Sequence, residues 1–330
     1  MDVIVDLQYG DCGKGKVAHY LSHKNSYTHV LRYNGGCNAG HTIFHKGKKF
    51  ITHHIPVGVF FGVKSIIGSG CVLDPDQFFR EIKMLEKGGV RTKGKIFVAK
   101  NTHIITKEHI TEDRKEKKIG TTGRGNGPAY RDKYGRVGLR AEHVARLKPY
   151  LVDLHEEWYG GKNVKILAEG AQGFGIDIDW GDYPYVTSSH CTTAGALLNG
   201  LPASAVRNVW GVAKIYETYV GKKKFQPAGN VFNEIADVGE EYGSTTGRRR
   251  QTNWMNMQTL ERAIHINGLT HVVFSKVDVL RKIGEWAIID KGRVHRFNNE
   301  KAMTDFVTKR LKILGISKSH VFFSESKETI

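Results

Sequence analysis

The stretch DVIVDLQYGDCGKGKVAHYLSH, residues 2–23, decides the fold. Residues 3–7 are typical of a buried β-strand, and residues 17–23 are typical of a helix. The loop GDCGKGK lies between them, and its backbone N–H groups and lysines suit phosphate oxygens. It is not a Walker A sequence, because its spacing is shorter and no Ser or Thr follows the lysine. We therefore predict a strand, a phosphate-binding loop and a helix. From the loop alone, a tight turn capped by an aspartate remains an equal alternative.

Strands and helices alternate along the rest of the chain. Asp74 suits the N-cap of a helix and Pro75 its first position. Further strands are predicted at residues 65–70, 164–167, 209–212 and 272–274, and further helices at residues 256–266 and 301–314. Because strands separated by helices form parallel sheets, we predict an α/β fold with a central, mostly parallel sheet flanked by helices. Residues 107–140 are rich in charge and glycine and are predicted to be a functional loop or a small helical excursion.

Composition restricts the class of protein and of ligand. The 330 residues include 50 Lys and Arg against 33 Asp and Glu, which gives a net charge of +17. This excess predicts an anionic partner and leaves nucleic acid, phosphorylated small molecules and an acidic membrane surface open. No apolar run approaches the ~18 residues of a membrane span, and the start lacks the form of a signal peptide. The four cysteines are widely spaced, so we expect free thiols and a cytoplasmic location. The glycine-rich loops favour phosphorylated small molecules among the three anionic partners, so we expect no membrane partner.

Polar, glycine-rich loops accompany the predicted strands. Residues 121–128 and 244–250 each combine hydroxyls, glycine and arginine, which suits phosphate or carboxylate because Arg binds both in a bidentate way. Residues 276–278, Lys-Val-Asp, follow a strand, and an aspartate there can accept from the two donors of a guanine edge. One such loop alone is usually a solvated basic loop. Two such loops are harder to dismiss. Residues 169–173 follow a predicted strand, and polar side chains at strand ends are where α/β folds bind ligands.

Two titratable residues lie in these loops. Asp11 is unusual inside a phosphate loop, because a carboxylate there must hold Mg²⁺ or act on a proton if it is not to repel the ligand. His41 lies in a second polar loop, residues 34–42. Taken alone, such a histidine is more often structural than catalytic.

Nine segments, in order and over nearly the whole chain, resemble those of adenylosuccinate synthetase: residues 8–16, 38–42, 53–56, 120–125, 130–133, 169–173, 183–189, 245–250 and 276–278. Each segment alone is modest evidence for the family, but nine segments in the family's order are highly specific for it. The resemblance implies one domain over residues 1–330 with a P-loop-like GTP-binding architecture. It also implies a ligase of AMP biosynthesis that converts IMP, L-aspartate and GTP to adenylosuccinate, GDP and phosphate with Mg²⁺.

The resemblance also assigns roles to residues. Asp11 matches the base that removes the purine N1 proton so that O6 attacks the γ-phosphate. His41 matches the acid that assists departure of GDP, and Gln172 lies near the purine six-position. The implied GTP-binding residues are Gly10, Asp11, Cys12, Gly13, Lys14, Gly15, Lys16, Gly40, His41, Thr42, Arg250, Lys276, Val277 and Asp278. The implied IMP contacts are Asn38, Thr122, Arg136, Gln172, Thr187 and Arg248.

The remaining implied contacts concern aspartate, the metal and a second subunit. The implied aspartate loop is Ser244, Thr245, Thr246, Gly247, Arg248 and Arg250, and we expect it to order on binding. The implied metal contacts are Asp11 and the Gly40 carbonyl. Arg136 matches an arginine that reaches IMP from the neighbouring subunit, which implies a homodimer.

Four departures from the family pattern occur. Cys12 stands where Glu is usual, Tyr219 and Gln251 replace arginines, and residues 324–327 lack the usual Gly-Pro beside guanine. Two questions are therefore open: whether the chain keeps a contact near the aspartate loop, and whether it keeps the C-terminal half of guanine recognition.

Two other functions compete with this interpretation. Viral 2-aminoadenylosuccinate synthetases act on dGMP, but they tend to replace the catalytic aspartate and to lose the Lys-x-Asp pattern, both of which this chain keeps. A basic nucleic-acid-binding protein with a phosphate loop would suit the charge. However, the Lys and Arg are spread along the chain and no single-strand aromatic platform is visible, so we expect no nucleic-acid partner.

Overall fold

The computed structural model describes residues 1–243, 247–325 and 330. The described strands are β1 (Asp2–Asp6), β2 (His29–Arg32), β3 (His41–His45), β4 (Lys48–Thr52), β5 (Lys64–Ile67), β6 (Val72–Leu73), β7 (Ile96–Ala99), β8 (His103–Ile104), β9 (Leu151–Val152), β10 (Ile166–Glu169), β11 (Asn208–Lys214), β12 (Tyr216–Tyr219), β13 (Gln251–Asn256), β14 (His271–Ser275), β15 (Trp286–Asp290), β16 (Arg293–Phe297) and β17 (Val321–Ser324). The described α-helices are α1 (Lys14–Lys24), α2 (Pro75–Lys87), α3 (Lys107–Asp113), α4 (Asn126–Gly135), α5 (Leu154–Tyr159), α6 (Thr193–Leu197), α7 (Asn230–Val238), α8 (Met257–Asn267), α9 (Val277–Ile283) and α10 (Glu300–Ile313).

A parallel sheet forms the centre of the described chain. Its strand order is β17-β14-β11-β1-β10-β2-β5-β7-β9, and every neighbouring pair in it is parallel. The predicted α/β class and the mostly parallel central sheet are confirmed. Because the strands run in one direction, the loops that follow β1, β10 and β14 leave the same edge of the sheet, where ligands bind in such folds.

The opening segment folds as its sequence predicts. All five residues of β1 are buried in the middle of the sheet, as expected for an apolar run between neighbours on both sides. α1 begins at Lys14, directly after Gly13, whose φ of 103° is in the left-handed region that favours glycine. This short connection directs the backbone N–H groups of the loop towards the start of a helix.

A second sheet, with strand order β12-β13-β15-β16, has no counterpart in the sequence predictions. Its β12–β13 and β15–β16 pairs are antiparallel, and β13 pairs with β15 in parallel. β3 and β4 form a separate antiparallel hairpin that begins at His41. Residues 107–140, predicted to be a loop or helical excursion, contain α3 and α4.

Helix α2 is capped as its sequence predicts. The Asp74 carboxylate accepts from the backbone N–H groups of Asp76 at 2.9 Å and Gln77 at 3.2 Å, with Pro75 at the first position of α2. One core cluster joins the two sheets, since it includes Val5 of β1 and Ile288 of β15. Within the described residues, no helix is long and apolar enough to cross a membrane.

Candidate active site

A cavity of about 330 Å³ lies where the loops after β1 and β10 meet the segment that leads into the β3–β4 hairpin. It gathers residues from most of the polar loops that the sequence singled out, but none from residues 276–278. The predicted site residues that line it are Gly10, Asp11, Gly13, Lys14, Gly15, Asn38, Gly40, His41, Thr42, Thr122, Gln172, Thr187, Arg248 and Arg250. Segments far apart in the chain therefore form one site.

Other predicted residues lie elsewhere. Cys12 is buried beneath the phosphate loop, and Arg136 is exposed at the end of α4, beside a second cavity. Lys276, Val277 and Asp278 lie at the junction of β14 and α9, outside the cavity lining. Gly247 follows Ser244, Thr245 and Thr246, and these three lie outside the described residues.

Asp11 is held by an arginine in this structure. Its carboxylate Oδ2 accepts from Arg250 Nη2 at 2.8 Å and from Arg250 Nε at 3.2 Å. Partial burial raises the pKa of Asp11, but the positive charges of Arg250, Lys214 and Lys14 outweigh it and lower the pKa. Asp11 is therefore ionised at neutral pH, as a proton acceptor or a metal ligand has to be.

Arg250 is itself positioned by a second carboxylate. Its Nη1 donates to Glu241 Oε2 at 2.5 Å, and Glu241 is fully buried. Lys214 Nζ and Tyr216 Oη donate to the same carboxylate, each at 2.7 Å. Arg250 thus bridges the phosphate loop and a fixed anionic group at the edge of the second sheet.

His41 lies in a buried charged group. Its Nδ1 is 2.5 Å from Glu169 Oε1, and its Nε2 is 2.6 Å from Arg32 Nη1. A neutral ring that donates from Nδ1 and accepts at Nε2 satisfies both contacts. Burial and the Arg32 charge lower the pKa of His41 to about 4, against the opposing effect of Glu169. In this position His41 is uncharged at neutral pH.

Gln172 and Asn38 contact each other across the cavity. Gln172 Nε2 donates to Asn38 Oδ1 at 2.8 Å, and Asn126 Nδ2 donates to the same oxygen at 2.8 Å. Ser189 Oγ donates to Gln172 Oε1 at 3.1 Å. Gln172 has a φ of 57°, a backbone conformation rare outside glycine, so the surrounding structure has to impose it.

The Lys-Val-Asp segment lies close to the phosphate loop. Lys16 Nζ donates to Ser324 Oγ at 2.6 Å, which connects α1 to the end of β17. Burial lowers the pKa of Lys16 to about 8, with Asp278 raising it and Lys276 lowering it. Lys16 is thus within electrostatic range of both predicted guanine-reading residues, although they do not line the cavity itself.

Three of the four departures from the family pattern have structural roles here, and the fourth, residues 324–327, lies partly outside the described residues. Tyr219 is buried and packs edge-on against Tyr9, with ring centroids 5.8 Å apart. Gln251 accepts through Oε1 from the backbone N–H groups of Phe225 and Gln226. Cys12 Sγ donates to Gln8 Oε1 at 3.2 Å. The side chains at these three positions therefore take part in packing and in local hydrogen bonds.

Three charged residues that support the site had no role in the sequence predictions. Asp6, Arg32 and Glu169 are the last residues of β1, β2 and β10, and each is at most 2% exposed. The sequence did contain a signal for them: each is a charged residue at the end of a buried strand, and a buried charge has to be paired. The partner of each charge was not visible in the sequence.

The fold and the cavity define a class of α/β proteins in which a glycine loop after the first strand carries a carboxylate beside lysine and arginine side chains. The family model for adenylosuccinate synthetase matches residues 3–151 and 142–312. The chain belongs to the adenylosuccinate synthetase family. The predicted activity class, a GTP-dependent ligase that forms a C–N bond, is confirmed.

Two adenylosuccinate synthetases align with most of the chain. An adenylosuccinate synthetase from Chlorobium limicola is 36% identical, over 94% of this chain and 85% of its own length. One from Thermus thermophilus is 37% identical, over 84% of this chain and 78% of its own length.

Two solved structures share the fold. Fully ligated adenylosuccinate synthetase from Plasmodium falciparum superposes with a TM-score of 0.88 at 25% identity, covering 99% of this chain and 97% of that chain. Succinoaminodeoxyadenylate synthetase from cyanophage S-2L, bound to dGMP and dATP, superposes with a TM-score of 0.70 at 23% identity, covering 94% and 98%.

Proposed function

We propose that this chain joins L-aspartate to IMP with GTP, giving adenylosuccinate, GDP and phosphate. The observation that carries the proposal is the placement of Asp11, His41, Lys14 and Gln172 around one cavity. That set provides a proton acceptor, a proton donor, a phosphate-binding cation and an amide for a purine edge. GTP rather than ATP is supported by Lys276 and Asp278, next to the phosphate loop.

The proposed chemistry begins with a proton transfer. Asp11 takes the purine N1 proton, and the electron pair released makes O6 a nucleophile for the γ-phosphorus of GTP. The bond from the γ-phosphorus to GDP breaks as the new bond to O6 forms, and the amine of aspartate then displaces the 6-phosphoryl group as phosphate. Backbone N–H groups of the loop and Lys14 stabilise the charge that develops during transfer.

His41 and Arg250 change partners in this scheme. His41 acts as an acid towards GDP only when protonated, and the negative charge of a triphosphate near the ring favours that form. Arg250 contacts Asp11 here, so its movement to a nucleotide phosphate frees the carboxylate for the N1 proton. Asn38, Thr122, Thr187 and Arg248 line the same cavity and are proposed to hold IMP, with Gly247, Arg248, Arg250 and residues 244–246 proposed to hold aspartate.

Mg²⁺ is the proposed metal. The Asp11 carboxylate and the Gly40 carbonyl both belong to residues of the cavity wall. Two protein oxygens fit this ion, which usually takes one or two carboxylate or carbonyl ligands and completes its shell with substrate phosphates and water. When bound, Mg²⁺ neutralises charge on the phosphates.

The choice of substrates gives the first testable prediction. With L-aspartate present, the purified protein should release phosphate at least about 10-fold faster with IMP and GTP than with dGMP and ATP. The reason is that Asp11 and the Lys276–Asp278 pair are both present. A coupled phosphate assay with each purine crossed with each triphosphate separates the two choices. Faster release with dGMP and ATP would overturn the substrate assignment.

We also propose a homodimer in which Arg136 completes the site of the partner subunit. Arg136 is exposed, has a φ of 62° and does not line its own chain's catalytic cavity. Around it are exposed apolar side chains, with Tyr134 61%, Val137 76% and Leu198 61% exposed. Apolar exposure beside a basic side chain suits an interface between copies.

Mixing two inactive variants tests this arrangement. Asp11→Asn and Arg136→Leu dimers should each have little activity, whereas an equal mixture after subunit exchange should recover about a quarter of wild-type kcat. Half of the dimers are then hybrids, and each hybrid has one intact site. Activity that stays at the mean of the two variants, with exchange verified by mass, would exclude a contribution of Arg136 in trans.

We also propose that the chain forms one domain and that it is cytoplasmic. One domain over residues 1–330 is supported by the core cluster that joins the two sheets. A cytoplasmic location is supported by the four cysteines, all of which are free and buried.

A further inference from the structure

Asp6 lies directly beneath the phosphate loop. It is the last residue of β1 and only 1% exposed. A buried carboxylate is costly unless it is paired and hydrogen-bonded, so its partners show what it stabilises.

Three of those partners are backbone N–H groups of the loop. Asp6 Oδ1 accepts from Gln8 at 3.0 Å and from Gly10 at 3.2 Å. Asp6 Oδ2 accepts from Cys12 at 3.1 Å. One side chain therefore binds every second residue from Gln8 to Cys12 and fixes the path of the chain between them.

That path needs support. Gly10 has a φ of 91°, Asp11 of 59° and Gly13 of 103°, so three residues out of four are in the left-handed region. A non-glycine residue keeps such a conformation only when its surroundings impose it. The contacts of Asp6 on both sides of Asp11 supply that constraint.

The fourth partner is the phosphate-binding lysine. Lys14 Nζ donates to Asp6 Oδ2 at 2.9 Å and to the Gln172 carbonyl at 2.5 Å, and Lys14 is 5% exposed. An ammonium group has three donors, so these two contacts orient it and a phosphate oxygen can take the third. Gly173 makes room for the arrangement, because a Cβ there would come within 2.6 Å of Asp6 Oδ1.

We propose that Asp6 is the positioning residue of the phosphate loop, setting the affinity for the nucleoside triphosphate by fixing both the loop backbone and Lys14. The proposal rests on the proposed function, in which this loop binds GTP. Asp6 does not touch substrate itself. Its effect should therefore be specific for the triphosphate and its diphosphate product.

Asp6→Asn tests the proposal, with Asp2→Asn as the matched control. Asp2 is also a buried carboxylate of β1, but it lies at the opposite end of the strand, where Tyr27 Oη and Arg207 Nη2 donate to it. Both substitutions remove one buried charge from the same strand. Asp6→Asn should raise the KM for GTP and the Kd for GDP by about 10- to 100-fold and change the KM for IMP by less than about two-fold. Asp2→Asn should leave all three constants unchanged.

The outcomes separate this proposal from the proposed function. An equal rise of all KM values, or a GDP affinity like that of Asp2→Asn, would overturn the role of Asp6. Calorimetric titration with GDP needs no turnover, so it still tests Asp6 if wild type fails to use IMP. If Asp6→Asn does not fold, Asp6→Glu displaces the charge by one methylene and should weaken GDP binding alone. Failure of both to fold, with Asp2→Asn folded, would show a structural role and overturn the proposal.

Discussion

Replacing Asp11 with Asn is expected to lower kcat by about 10²- to 10⁴-fold, the range typical of a lost general base. The Asn amide is close in size to the carboxylate but cannot take the purine N1 proton. O6 then remains a poor nucleophile, whatever the loop does for the phosphates. Because Arg250 also loses an anionic partner at 2.8 Å, it becomes free to contact the nucleotide, and the KM for GTP should change far less than kcat.

Steady-state assays with IMP, GTP and aspartate, each varied in turn, measure this split between kcat and KM. Asp305→Asn is the matched control, since it removes an exposed carboxylate of α10 that pairs only with Lys301 among its ion-pair contacts in the described chain. It should behave as wild type. An Asp11→Asn variant that is correctly folded and keeps more than about a tenth of wild-type kcat would contradict the role of Asp11 as base.

The fold could be predicted because its main signals are local. A buried strand, a glycine loop and a helix are all contained in residues 2–23, and apolar runs further along alternate with helical stretches. The second sheet could not be predicted. Its strand Gln251–Asn256 is largely polar, and it is formed by pairing with residues on either side in the sequence, at Tyr216–Tyr219 and Trp286–Asp290. Such pairings depend on long-range packing rather than on the segment itself.

Many of the residues that the structure brings to the cavity could be predicted from the sequence motifs, whereas the buried residues that support them could not. Asp11 could be singled out by residue type, because a carboxylate is unusual inside a phosphate loop, whereas a role for His41 was predicted only from the family resemblance. Arg32 and Glu169 are 137 residues apart in sequence, yet adjacent strands place them opposite each other in register. The order of the strands in the sheet determines which buried charges pair. That order cannot be inferred from the sequence of either strand.

Breaking the buried Arg32–Glu169 pair should have the largest effect on stability. Arg32 Nη2 is 3.2 Å from Glu169 Oε1, and their side chains are 2% and 0% exposed. Burial raises the pKa of Glu169, but Arg32, His41 and the Val57 N–H group outweigh it, so that the pKa is about 2 and the group is ionised. Arg32→Met leaves this carboxylate in the core without its cation. We expect the free energy of unfolding to fall by about 3–5 kcal/mol.

The double variant Arg32→Met/Glu169→Gln should be more stable than Arg32→Met, because no uncompensated charge remains in the core while the amide can still accept from the Val57 N–H group. Denaturant unfolding at fixed pH measures the free energy of unfolding of the wild type, of Arg32→Met and of the double variant. Arg296→Met is the control, since Arg296 pairs with Glu285 through side chains that are 63% and 45% exposed, and its loss should cost at most about 1 kcal/mol. Equal losses for Arg32→Met and Arg296→Met would show that the buried pair does not stabilise the fold. A double variant no more stable than Arg32→Met would show that packing of the arginine, rather than its charge, is what the core requires.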